Sequence, residues 1–158
     1  MELNHFQDLY TTKDIATMKV ADSARMPGKN RIEEIRNNAK LSGVIRIGIA
    51  NCAVVQKEAE ILKQMLLPDF EVHDIACKYG KIPSNKLLNE DAKGVVCNPA
   101  GQAEYLGEKQ TELNISMGLC IGHDMIFTSK SKAPVTTLIV KDREHKHNPI
   151  ETFKSLKP

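Results

Sequence analysis

Four cysteines, Cys52, Cys77, Cys97 and Cys120, recur at intervals of 20 to 25 residues. Each closes a short run rich in β-branched residues, spanning 44–50, 70–76, 94–96 and 113–119. That interval is about the length of one strand–helix unit, so the cysteines follow the period of an α/β fold. In an open parallel sheet, ligands settle in the crevice beyond the carboxyl ends of the strands. Thiols placed there can converge although they are remote along the chain. Three or four thiolates at one point would hold zinc or an iron–sulfur cluster. The competing reading is that cysteine is a small hydrophobe favoured in buried strands. No local C-x-x-C pair occurs. A shared centre therefore depends on strand order, because only neighbouring strands lie about 5 Å apart.

Other residues at the same edge could support such a centre. Cys97-Asn98-Pro99 and Cys120-Ile121-Gly122-His123-Asp124 each place a cysteine where a strand hands over to a helix. The N–H groups and positive dipole end of a helix start lower a thiol's pKa. His123 is a candidate ligand or acid–base group, with Asp124 placed to orient its ring. The pair Cys97 and His123 could act as nucleophile and base only if folding brings them within hydrogen-bond reach. Gly118 and Gly122 flank Leu119-Cys120-Ile121 and could let backbone donors wrap an anion. Lys78, Asn98, Gln102, Ser116, Lys141, Asp142 and Arg143 add cations and polar groups for a cofactor or an anionic ligand. The alternative for 141–143 is a surface turn with local ion pairs of little value. His145 and His147 fall in a charged run beyond the last strand, while His73 and His5 read as structural.

The elements that must position these groups follow from periodicity. A helical lead occupies 1–43, with one helix over 8–26 presenting Ile15, Met18 and Ala21 and a clearer one over 30–41. In the second, Asn30 caps, Ile32, Ile35 and Ala39 share a face, and Gly43 ends it. From Val44 the pattern becomes α/β. Strands are expected over 44–50, 70–76, 94–97, 114–119 and 135–140, with helices over 57–67 and 98–109. A helical turn over 122–129 and a short helix from Asn148 complete the pattern. The fold expected is a single Rossmann-like α/β domain over 1–158. Its mostly parallel sheet has about five strands, helices lie on both faces, and one or two N-terminal helices precede it.

Composition narrows the function classes. A net charge of +2, no Trp, and no basic block interleaved with aromatics argue against a nucleic-acid partner. No apolar run nears the ~20 residues that span a bilayer. The start, Met1-Glu2-Leu3-Asn4-His5, lacks the basic and apolar segments of a signal peptide. The expectation is a cytoplasmic protein with reduced thiols, no membrane partner and modest apolar faces that could support a homo-oligomer. There is no G-x-x-x-x-G-K-[ST], no G-x-G-x-x-G and no G-x-S-x-G. A P-loop, a standard dinucleotide site and a nucleophile elbow are thereby set aside.

Several segments together resemble a known family: Arg31-Ile32-Glu33-Glu34-Ile35, Ile47-Gly48-Ile49-Ala50-Asn51-Cys52, Ala76-Cys77-Lys78 and Cys97-Asn98-Pro99 with Gln102-Ala103. Gly118-Leu119-Cys120-Ile121-Gly122-His123-Asp124, Lys132-Ala133-Pro134-Val135-Thr136-Thr137, Lys141-Asp142-Arg143 and His147-Asn148-Pro149 continue the match. Over about residues 26–149 the chain is similar to the uncharacterised family called domain of unknown function 1847, found in archaea and anaerobic bacteria. The resemblance implies a metal-binding label without a reaction or substrate. Family members usually begin with a cysteine-rich segment, whereas this chain has no cysteine before Cys52. The leading expectation is a metal centre, iron–sulfur or zinc, on Cys52, Cys77, Cys97 and Cys120. Three thiolate ligands would leave one iron open to a small sulfur- or oxygen-containing molecule. The alternatives are a non-catalytic metal or small-ligand sensor or carrier, and a metal-free enzyme using Cys97 or Cys120 as a low-pKa thiolate.

Overall fold

The structure, a computed structural model, describes residues 3–156; Met1 and Glu2 of the opening segment lie outside the described residues. The chain divides into two compact units, Met1–Val44 and Ile45–Pro158.

The first unit is helical. A 3-10 helix over Leu3–Leu9 precedes α1 (Thr12–Ala24) and α2 (Arg31–Leu41). Both α-helices start with a capping box, Thr11 with Asp14 and Asn30 with Glu33, which satisfies the donors that a helix start leaves unpaired. In α2, Ile35 and Ala39 are buried, as the spacing requires. In α1 the expected apolar face does not turn inward: Ile15, Met18 and Ala21 are exposed and Ala24 is buried. The Asn37 amide donates to the Ala24 carbonyl at 3.1 Å, tying the end of α1 to α2.

The second unit is α/β and Rossmann-like. Its elements are β1 (Arg46–Asn51), α3 (Gln56–Leu66), β2 (Glu71–Ala76), α4 (Pro99–Glu108), β3 (Leu113–Met117), α5 (Ile121–Lys130), β4 (Val135–Ile139) and α6 (Ile150–Ser155). All strand pairs are parallel and the order is β2-β1-β3-β4. The sheet thus has four strands rather than about five. The expected strand at 94–97 forms only an antiparallel bridge, Pro83 to Val95, with Val96 N–H donating to the Ile82 carbonyl. Gly94 at φ +82° bends the chain there and leaves too short a run to join a ladder.

α3 and α4 each pack on β1 and β2, so they cover opposite faces, and α4 also packs on α5. β1 is consequently buried on both sides, with Ile47, Ile49, Ala50 and Asn51 fully enclosed. Ala50, Ala103, Leu106, Leu119 and Phe127 form the core between the sheet and the α4–α5 layer. Gly48 lets that layer approach: a Cβ there would collide with the Asn114 Oδ1 and stand 2.8 Å from Leu106 Cδ1. Among the described residues, no helix is long and apolar enough to cross a membrane.

Candidate functional site

The strand order brings the carboxyl ends of β1 and β3 side by side. The chain leaves β1 for one edge of the sheet and later returns across it to β3, so these ends form the switch point where such folds open a crevice. Cys52 follows β1 directly. Its N–H donates to the Met117 carbonyl at 2.9 Å, extending the ladder by one residue. A 3-10 turn, Ala53–Val55, then leads into α3.

Cys77 follows β2. The register pairs Asn51 with Ala76, so Cys52 and Cys77 come next on adjacent parallel strands. Cys97 arrives from the bridged loop, held because the Asn98 N–H donates to the Cys77 carbonyl at 2.6 Å. Asn98 then caps α4, accepting from Gly101 N–H at 2.8 Å, while its amide donates to the Tyr79 carbonyl at 3.1 Å. Cys120 stands at the N-cap of α5. Gly118, at φ +63°, turns the chain out of β3 toward it. A Cβ on Gly118 would press on Val55 at 3.1 Å and lie 3.9 Å from the Cys52 Cβ.

The four thiols are free and unlike one another. The Cys77 thiol neighbours those of both Cys52 and Cys97 as a hydrogen-bonding group, and Cys120 acts on Cys97 through its charge. Two cations come from the segment after β4. Lys141 Nζ donates to the Cys52 sulfur at 3.3 Å, and Arg143 donates to the Cys120 sulfur at 3.3 Å. Burial pulls the Cys52 thiol up, yet Val54 N–H, Lys141 and the Cys77 thiol outweigh it and hold Cys52 below the ordinary thiol value. Cys97 behaves oppositely. Burial first, then the hydrogen bond to Cys77 and the charges of Cys77, Cys52 and Cys120, push it up to about 11. Of the two cysteines expected as alternatives for a low-pKa thiolate, Cys97 or Cys120, Cys97 is corrected: burial raises it and it has thiols for neighbours, whereas Lys141 stands at Cys52.

Among the described residues, no three His, Cys, Asp or Glu side chains are set as packed to hold a metal ion. His123 and Asp124 lie in the first turn of α5, both half-buried. Asp124 Oδ1 is enclosed without a hydrogen-bond partner. Gly122 is exposed, with nothing within 4 Å of a Cβ built on it, and Lys78 is exposed. Ser116 is buried and bonds to Thr137 at 3.0 Å.

Asp142, His145 and His147 brace their own loop. The Asp142 carboxylate accepts from Glu144 and His145 N–H, each at 3.0 Å, and Asp142 N–H donates to His147 Nδ1 at 3.2 Å. That bracing fixes the segment from which Lys141 and Arg143 reach the sulfurs. Asn51, which sequence reasoning passed over, is fully buried beside Cys52. Its amide donates to the Cys52 carbonyl and to Gln56, while Oδ1 has no partner. Gln102 donates to the carbonyls of Asn51 and Ile75, knitting α4 to the ends of β1 and β2. A polar residue at the last, enclosed position of an apolar strand was the available signal for Asn51.

Comparison with known proteins gives a family without an activity. The chain is 48% identical over 124 residues to the uncharacterized protein MJ0455 of Methanocaldococcus jannaschii, covering 76% of this chain and 64% of that relative. It therefore spans less than two thirds of the relative's length. No solved structure matches it. The family model described as Protein of unknown function (DUF1847) matches residues 2–138, a stretch that includes all four cysteines and ends before Lys141 and Arg143. By that match the chain belongs to the DUF1847 family.

Proposed function

We propose that Cys52, Cys77, Cys97 and Cys120 form a thiolate metal centre at the carboxyl edge of the sheet, holding an iron–sulfur cluster or zinc. The observation that carries this reading is the Cys77 thiol standing beside both Cys52 and Cys97, with Lys141 and Arg143 directed at the sulfurs of Cys52 and Cys120. An all-thiol donor set suits soft metals and clusters. Four thiolates around a doubly charged core carry a net charge of about −2, which the two cations offset. Loading would exchange thiol protons for metal–sulfur bonds and release those protons, so uptake would strengthen as pH rises. With a cluster bound through three thiolates, one open iron would act as a Lewis acid toward a small sulfur- or oxygen-containing molecule. His123 would lie within the same helix start for proton transfer. A reducing, cytoplasmic setting keeps the thiols available.

Purification without oxygen, followed by absorption spectroscopy and analysis of iron, acid-labile sulfide and zinc, tests the reading. Stoichiometric metal, lost when Cys77 is replaced by Ser, is the expected result. Protein that is colourless, metal-free and refractory to reconstitution overturns it.

A further inference from the structure

Two of the four thiols have a relation that needs no metal. Cys52 and Cys77 occupy successive register positions at the ends of adjacent parallel strands, one step beyond the Asn51–Ala76 pair. Neighbouring strands lie about 4.8 Å apart, within the Cα separations of about 4.4–6.8 Å that disulfides span. That spacing meets the Cα requirement for a bridge between the two residues. The two sulfurs differ in access: Cys52 is half-buried and Cys77 is only 3% exposed. An incoming reagent meets Cys52 first, while Cys77 waits behind it. Lys141 Nζ, 3.3 Å from the Cys52 sulfur, places a cation beside the outer thiol.

We propose that, when metal-free, Cys52 and Cys77 act as the attacking and resolving thiols of an exchange with low-molecular-weight disulfides. This goes beyond the metal reading and does not depend on it. The Cys52 thiolate attacks one sulfur of the disulfide. The S–S bond breaks, leaving a mixed disulfide on Cys52 and one free thiolate. That thiolate takes the Cys77 proton, and the Cys77 sulfur attacks Cys52, expelling the second thiolate. The two cysteines are oxidised to one disulfide and the small disulfide is reduced to its two thiol halves. Lys141 keeps its proton throughout and acts by position. A cation at the sulfur, partial exposure and a nearby resolving thiol are the marks of a reactive cysteine pair.

The test uses the full chain, reduced and chelator-stripped under anaerobic conditions, with 5,5′-dithiobis(2-nitrobenzoic acid) as the disulfide. The expected result is a fast phase releasing two aromatic thiolates per chain, with peptide mass spectrometry finding a Cys52–Cys77 link. Cys77→Ser is expected to stop at a stable Cys52 adduct with one thiolate released. Lys141→Gln, which removes the cation beside the Cys52 sulfur, is expected to slow the fast phase about tenfold near neutral pH. Fast labelling at Cys97 or Cys120, or a lasting Cys52 adduct in the unsubstituted chain, overturns the proposal; both are read without any variant. Metal is measured on the same preparation before stripping. Bound metal without fast exchange refutes this inference alone, and fast exchange in protein that never held metal refutes the metal reading alone.

Discussion

Burial raises both the Cys52 and the Cys97 thiol, and their neighbours then drive the two acidities apart. Cys52 has a cation and a backbone N–H at its sulfur; Cys97 has a thiol partner and the charges of other thiols. The consequence for stability has a definite direction. Folding raises the Cys97 thiol from 9.0 to about 11, so its favourable contribution is complete below about pH 9 and lost as pH climbs toward 11. Cys52 works the other way: its lowered value stabilises the fold at high pH and loses effect as pH falls through the folded value. Thermal melts of metal-free protein between pH 8 and 11 are expected to show a decline that Cys97→Ser makes shallower. Equal slopes for the two chains would contradict the assignment.

At the scale of elements, the site is built from helix starts. Cys52, Cys97 and Cys120 immediately precede or cap the turns that open α3, α4 and α5. The segment after β4 supplies the cations. The approach of the α4–α5 layer to β1 depends on Gly48, where a Cβ would strike Asn114 and the fully buried Leu106. Gly48→Ala is expected to cost about 1–3 kcal/mol by overpacking. Gly122→Ala, on an open first turn with nothing within 4 Å, is expected to be neutral or to stabilise by about 0.4–1 kcal/mol. Urea unfolding of the two variants measures both; similar midpoints would mean that the close approach at Gly48 is not what shapes the layer.

At the scale of the molecule, strand order decides which strand-end cysteines are neighbours. With β1 between β2 and β3, Cys52 is central, Cys77 lies on one side and the turn to Cys120 on the other. A β1 placed at the edge would have separated them by several strand widths. Because a metal on thiolates from three or four elements binds the folded chain and not the unfolded one, loading is expected to raise stability. At zinc a hundredfold above its dissociation constant the gain is about 2.7 kcal/mol. It would be read as a concentration-dependent rise in melting temperature that disappears in Cys52→Ser. A melting temperature indifferent to zinc and to iron–sulfur reconstitution would argue against a shared centre.

Periodicity by itself marked the elements that bury a clear stripe, such as α2 with Ile35 and Ala39, β1 with its β-branched run, and α3 with Ala59, Leu62 and Leu66. It misjudged α1, whose weak pattern leaves Ile15 and Met18 exposed, and it read 94–97 as a strand of the sheet. That second error concerned the element and not the address, since one hydrogen bond from Asn98 to the Cys77 carbonyl still delivers Cys97 to its place. Residue type and spacing determined that thiols would stand at or just beyond strand ends. Only the tertiary structure decided that Cys52, rather than Cys97, is the more acidic one, with the Val54 N–H and Lys141, 89 residues away, acting on its sulfur. A thiol's acidity depends on charges a few ångströms distant, and which charges those are follows from how the strands are ordered.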